Sequence, residues 1–384
     1  MTATIDTAVS YRLVADDLIE ALKLLKPIIT HRSGLEIAER VRIDFSRGKT
    51  TVTATNIDLI LTVELRRPAW YVGDDSVVVD YDHLLASVMP GSYVHLEVTD
   101  DTVTVVQNVP TETRVELKRY PTEEYLSTPN PPTAKPAFEL RERDVVNLRE
   151  AVMPATAPGD SIPTLQCVYF HPYGDYVAME AADGFRLART LAPYLFDREM
   201  TPFMIPADTL KKLPRRIYAM RFTYEPDATY AMADIQIKAT KDRFIHARAF
   251  LKVDPGHFPD LNTVIPQDDA LTTEIRVHRR IIEEAANAKI GKKFAALIFR
   301  PGEARFELEG APTRVWEGDQ IKFVSLIDGE EPTCQEYRIN QVFCREMVKV
   351  IQDSEIRFCT ASPRHAVKVT NFETTFVVML LVAN

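Results

Sequence analysis

Between residues 15 and 29, apolar side chains recur at Leu18, Leu22, Leu25 and Ile29, the spacing of one helix face. Asp16 and Asp17 put negative charge where a helix N-terminus attracts it. The same kind of segment returns twice, with Val145, Leu148 and Val152 along 143–153, and Ile281, Ile282, Ala285 and Ala286 along 278–290. Alternating or β-rich sequence follows each: VRIDFS and TTVTATN, then LQCVYFHP and DYVAMEAAD, then AALIFRP and RFELEG. Shorter helical patterns fall midway, at 81–88, 207–213 and 340–352, the last with Val342, Met347, Val350 and Ile351 on its apolar side. The order helix, strands, helix, strands, three times over, predicts an α+β fold of three tandem modules, each with two helices packed on antiparallel sheets.

Two signatures repeat at the same scale. Ala54-Thr55-Asn56-Ile57-Asp58-Leu59 is answered by Ala181-Ala182-Asp183-Gly184-Phe185-Arg186-Leu187, and Tyr120-Pro121, with Pro129 beyond, by Phe258-Pro259, with Pro266 beyond. A module of about 130 residues used repeatedly accounts for both. TPNPPTAKP at 128–136 is rich in proline, which removes amide donors and stiffens the chain, so it is expected to be a linker, with IPQDDALTT at 265–273 a weaker one. The expected domains are 1–133, 134–268 and 269–384.

Composition narrows the class. With 46% hydrophobic and 26% charged residues, the chain can bury ordinary cores. The start MTATIDTAVSYRLVADD lacks the charged and then apolar layout of a secretory signal, which gives a cytoplasmic expectation. The apolar run FVVMLLVA at 376–383 is shorter than the ~20 residues a membrane helix needs and reads as a closing strand. Cys167, Cys334, Cys344 and Cys359 form no CxxC pair and have no histidine at ligand spacing, so reduced thiols and no metal or cofactor are expected.

The net charge of −9 opposes a wholly basic nucleic-acid coat but leaves the placement of cations open. On or beside the six helical segments lie Lys23, Lys26, His31 and Arg32, then Arg143, Arg149, Lys211, Lys212, Arg215 and Arg216, then Arg279, Arg280, Arg345 and Lys349. One such residue is ordinarily a solvated face; recurrence at equivalent places points to a surface that meets phosphates without reading bases. Double-stranded DNA, bound without sequence preference, is the expected ligand.

Four motifs then resemble a known family. AADGFRLA at 181–188 is similar to ATDGHRLA, FPDLNTVIP at 258–266 to FPDYRRVIP, ATNIDL at 54–59 to ATDLEI, and the terminal FVVMLLVAN to YVVMPMRL, all of the bacterial DNA polymerase III beta subunit, the sliding clamp. The resemblance spans essentially the whole chain in the right order. It implies three DNA-clamp domains, a closed ring formed as a head-to-tail homodimer around duplex DNA, and no catalysis. It also implies as partners a replicative DNA polymerase, a clamp loader and other proteins that carry a clamp-binding peptide.

Carried over position by position, the resemblance places a peptide pocket at Leu165, Ala182, Gly184, Phe185, Arg186, Leu187, Pro259, Thr263, Val264, Val377, Met379, Leu380 and Leu381, with Arg186 near its rim. It places a DNA-contacting arginine at Arg32 and the dimer contact at Asn287, Ala288 and Ile290. Ala182, Phe185, Thr263, Leu380 and Val382 depart from the family pattern, which implies a more apolar and less basic pocket. Two other classes compete. Asp183-Gly184 beside Arg186, Asp100-Asp101 or Asp16-Asp17 could serve an enzyme, although Asp-Gly is a common turn and paired acids are ordinary helix caps. The other is a three-module protein-binding scaffold that does not encircle DNA.

Overall fold

The computed structural model describes residues 9–31, 34–70, 74–159, 161–194, 200–288, 296–300, 305–308, 315–317, 321–326, 336–361, 366–371 and 373–379. Arg32, Ile290, Cys334, Leu380 and Leu381 therefore lie outside the described residues. Among those described are six α-helices: α1 (Ala15–Leu25), α2 (Tyr81–Ser87), α3 (Glu142–Asn147), α4 (Ala207–Lys211), α5 (Arg279–Asn287) and α6 (Gln341–Val350). Each follows directly on a strand and precedes three more, or four after α5, so a strand, a helix and a run of three or four strands recurs six times among the described residues.

Each helix starts where an extended strand residue can give way to a helical one. Asp80, His278 and Asn340 close α2, α5 and α6 by accepting hydrogen bonds from the amides of His83, Arg280 and Val342. On α1 the predicted stripe is buried, with Leu18, Leu22 and Leu25 fully covered, each contributing roughly 2 kcal/mol. α3 departs from the expected single helix. After Asn147 the chain widens into a π turn over Leu148–Val152 and tightens into a 3₁₀ turn over Met153–Ala155, where Pro154 has no amide to continue the ladder.

The chain gathers into two compact units. The first comprises Met1–Arg141 and Asp208–Val253, the second Glu142–Ala207 and Asp254–Asn384. The first unit holds a four-stranded antiparallel sheet in the order Val9–Val14, Tyr93–Val98, Thr102–Asn108, Glu112–Lys118. Its second sheet has eight strands: Asp75–Asp80, Arg40–Ser46, Lys49–Thr55, Leu59–Glu64, Arg243–Lys252, Tyr230–Thr240, Ile217–Thr223, Phe138–Arg141. The second unit repeats the plan with nine strands, Phe203–Pro206, Cys167–Tyr173, Tyr176–Ala182, Arg186–Pro193, Thr374–Val378, Val367–Thr370, Glu355–Thr360, Thr273–His278 and Ile321–Ser325. Its four-stranded sheet runs Val315–Glu317, Arg305–Leu308, Ala296–Arg300, Tyr337–Asn340.

These groupings do not follow limits at 134 and 268, because both large sheets run on between segments far apart in sequence. Leu59–Glu64 pairs with Arg243–Lys252, and Arg186–Pro193 with Thr374–Val378. The run expected as a closing strand does enter a sheet through Thr374–Val378, at one of these two joins.

Candidate partner-binding site

The repeated signatures are the turns that launch the joining strands. Asp183 Oδ1 accepts from the amides of Phe185 and Arg186, both at 2.9 Å, while the Asp183 amide donates to Arg186 O at 3.1 Å. Asn56 does the same with Leu59 (amide to Oδ1 2.9 Å, Asn56 amide to Leu59 O 3.1 Å). The residue after each acid or amide has positive φ. Gly184, at 88°, takes this without cost, whereas Ile57, at 76°, is a β-branched residue held in the left-handed region. A further copy escaped the sequence reading: Asn371 accepts from Glu373 (3.0 Å) and Thr374 (2.7 Å) and opens the strand Thr374–Val378. Its signal is the Thr-Asn pair shared by 55–56 and 370–371.

The second of these turns carries the candidate site. Beneath it Cys167, Ala182, Leu187, Met204, Phe258, Leu261, Ile265, Ala366 and Val377 form one buried apolar cluster. Above it three apolar side chains stand in solvent: Phe185 (68% exposed), Val264 (56%) and Met379 (49%). The Met379 amide donates to Phe185 O at 2.8 Å, and Val264 is flanked by Leu261 and Ile265 of the cluster. Ala182, Leu187 and Val377 thus form the floor, Gly184, Pro259 and Thr263 are exposed around it, and Leu165 is half-buried. Burial pushes the Cys167 thiol in that floor up to about 12, so it behaves as an apolar filler.

Arg186 is not a rim residue free to meet a ligand. Its Nε donates to Asp183 Oδ2 at 3.0 Å, its terminal nitrogens donate to Glu346 of α6 and to Pro154 O, and its guanidinium lies 4.5 Å from the Phe343 ring centre. Burial lowers its pKa from the usual arginine value, against the opposing pull of Asp183. A partly buried guanidinium needs this many acceptors, and the turn, the 3₁₀ segment and α6 supply them. Asp183 is likewise occupied by its own turn, and Asp17 by Arg67 (Nε to Oδ2 2.8 Å), which is how these acids are used in the fold.

The cations proposed to face DNA divide into two groups. Lys23, Lys26 and Arg215 are exposed, and among the described residues none of them is paired with a carboxylate; Lys212 is half-buried. His31, Lys211, Arg280 and Lys349 are exposed but lie within 3.3 Å of Asp82, Asp208, Glu284 and Glu150 respectively. Arg149 is half-buried in the π turn. Arg279 and Arg345 also serve within the fold. Arg279 donates to Val348 O (2.6 Å) and Ile351 O (2.8 Å), satisfying carbonyls at the end of α6, and Arg345 Nε donates to Ala286 O (2.9 Å) near the end of α5. Both arginines tie the helix pair together, Arg279 through its terminal nitrogens and Arg345 through Nε, with the Arg345 side chain half-exposed.

The expected dimer contact is also revised. Asn287 is exposed, but Ala288 is buried within its own unit, where Gln341 Nε2 donates to Ala285 O (2.7 Å) and Ala288 O (3.0 Å). Its side chain is covered by the chain itself.

The six-fold recurrence of a strand, a helix and a run of strands, with large sheets shared between distant segments, is a fold this chain shares with DNA sliding clamps of known structure. Among solved structures the chain is similar to the DNA polymerase III subunit beta from Pseudomonas aeruginosa, at 15% identity and TM-score 0.79 over 97% of this chain and 100% of that one. It is similar to the DNA polymerase sliding clamp from Bacillus subtilis at 17% identity and TM-score 0.78, covering 98% and 100%. The Helicobacter pylori beta clamp bound to a DNA ligase peptide superposes at TM-score 0.76 with 14% identity, covering 98% and 100%. No family model matches the sequence, and no curated protein matches it.

Proposed function

We propose that this protein is a DNA sliding clamp: a non-catalytic ring, closed by two copies head to tail, that encircles duplex DNA and tethers a replicative polymerase and other partners by a peptide docked over Phe185, Val264 and Met379. The observation that carries the reading is the clamp fold over 97% to 98% of the chain, together with three exposed apolar side chains above a buried apolar floor. A partner peptide's apolar side chain on that surface would desolvate both, as in other small apolar sites. We also propose the module limits 1–133, 134–268 and 269–384, so that each large sheet continues from one module into the next.

A ring held by topology needs only loose contact with phosphates, which suits an acidic chain with scattered cations such as Lys23, Lys26 and Arg215. A clamp loader is the further partner this reading requires. No helix among the described residues is long and apolar enough to cross a membrane, which fits the proposed cytoplasmic setting. The test is polymerase processivity on primed circular DNA. Lys23→Glu, Lys26→Glu and Arg215→Glu together should shorten the products, and unchanged product length would favour the scaffold that does not encircle DNA.

A further inference from the structure

Behind the exposed side chains of the candidate site, the sheet carries a charge pair that an apolar floor does not need. Arg189 and Glu180 face each other across the strands Arg186–Pro193 and Tyr176–Ala182, are ion-paired, and have side chains only 7% and 3% exposed. Arg189 lies two residues beyond Leu187, so it shares the face of the strand that builds the buried cluster. Its Nη2 donates to Asn262 Oδ1 at 2.8 Å, and its guanidinium lies 4.6 Å from the Tyr173 ring centre. On the other side of Glu180, His171 Nε2 is 3.2 Å from Oε2. The His171 ring stacks on Tyr169, which stacks in turn on Phe258 of the floor.

Taking two charges out of water is costly, and apolar replacements for such pairs are often neutral for stability. The use of this pair lies in what it holds. Asn262 belongs to the 3₁₀ turn Leu261–Thr263, which Asp260 opens by accepting from the Asn262 amide at 2.9 Å. On one side the turn is fixed by Leu261 and Ile265 in the apolar cluster; on the other its polar anchor is Asn262 on Arg189. Val264, the exposed side chain of this segment, lies between those anchors in sequence.

We propose that Arg189 is a positioning residue for partner selection: fixed by Glu180, it holds Asn262 and so sets where Val264 stands, and with it the width of the slot open to a partner's apolar side chain. The inference rests on reading this surface as the peptide site. A guanidinium suits the task because its planar fork reaches a carboxylate and an amide oxygen at once, which a lysine cannot do.

The test uses the full chain, a fluorescently labelled DNA ligase peptide as probe, and amide exchange at Val264 and Ile265, whose amides donate to Leu261 O. Asn262→Ala should weaken peptide binding by about tenfold and speed exchange at both amides. Asn262→Asp, which keeps an acceptor for Arg189, should restore both. In an Arg189→Met background, Asn262→Ala should have no further effect; should that background not fold, the two Asn262 variants decide alone. Wild-type exchange and wild-type affinity in Asn262→Ala would overturn the proposal, as would additive effects of the two substitutions. If the unaltered protein binds no peptide, the peptide-site reading fails, while the exchange rates still decide whether Arg189 positions the turn.

Discussion

The amide of Met379 donates to the carbonyl of Phe185 at 2.8 Å, so one main-chain bond joins two of the three exposed apolar side chains of the candidate site. Since both side chains are about half exposed or more, they contribute little to folding and are available to a partner.

Phe185→Ser should therefore separate binding from stability. Removing the ring deletes the largest exposed apolar surface of the site and should weaken peptide binding by at least tenfold. The urea midpoint should move by an amount equivalent to no more than about 0.5 kcal/mol. Peptide titration alongside equilibrium unfolding checks both.

Arg186→Ala should do the reverse. It would strip the acceptors Asp183, Glu346 and Pro154 O of a partly buried donor, and the expected loss is about 2 kcal/mol of stability in urea unfolding. Arg186→Lys should recover only part of it, because a single ammonium cannot reach all three.

Ile57→Gly should stabilise the protein, although it removes a side chain. The φ of 76° at this position belongs to the left-handed region, where a β-branched residue is strained by roughly 1 to 2 kcal/mol, and the equivalent position in the second copy is already Gly184. A rise in the thermal midpoint is the expected result. A fall would mean that the half-buried Ile57 side chain contributes more than its backbone costs.

Asp17 carries a pH dependence. Burial alone would raise its pKa, but hydrogen bonds and charge from Arg67, with Arg66, hold it below the ordinary 3.8. The stabilisation is complete above that ordinary value and is lost as pH falls through the lowered one. Asp17→Asn should lower stability at neutral pH and flatten the fall in urea midpoint below about pH 4.

The spacing of Leu18, Leu22 and Leu25, and of Ile281, Ile282, Ala285 and Ala286, was enough to place α1 and α5, because amphipathic helices on a sheet carry their packing in their period. The strands were legible from alternation, and the repeated signatures from their recurrence along the chain. What the chain order hides is pairing: nothing in the composition of Leu59–Glu64 says that it will lie beside Arg243–Lys252. The site was readable to the same degree. Phe185, Val264 and Met379, which the resemblance names, are exposed, whereas Arg186, Arg279 and the Nε of Arg345 find acceptors on distant backbone and side chains. A cation on a helix looks the same in sequence whether it faces solvent or a carbonyl at the end of its neighbour.

The central claim is the ring, and the mass of the native particle in solution tests it most directly. Sedimentation at micromolar concentrations should give about twice the 43.5 kDa of the chain, as two copies closed head to tail require. A particle that remains at one chain mass up to the highest concentration reached would contradict the account.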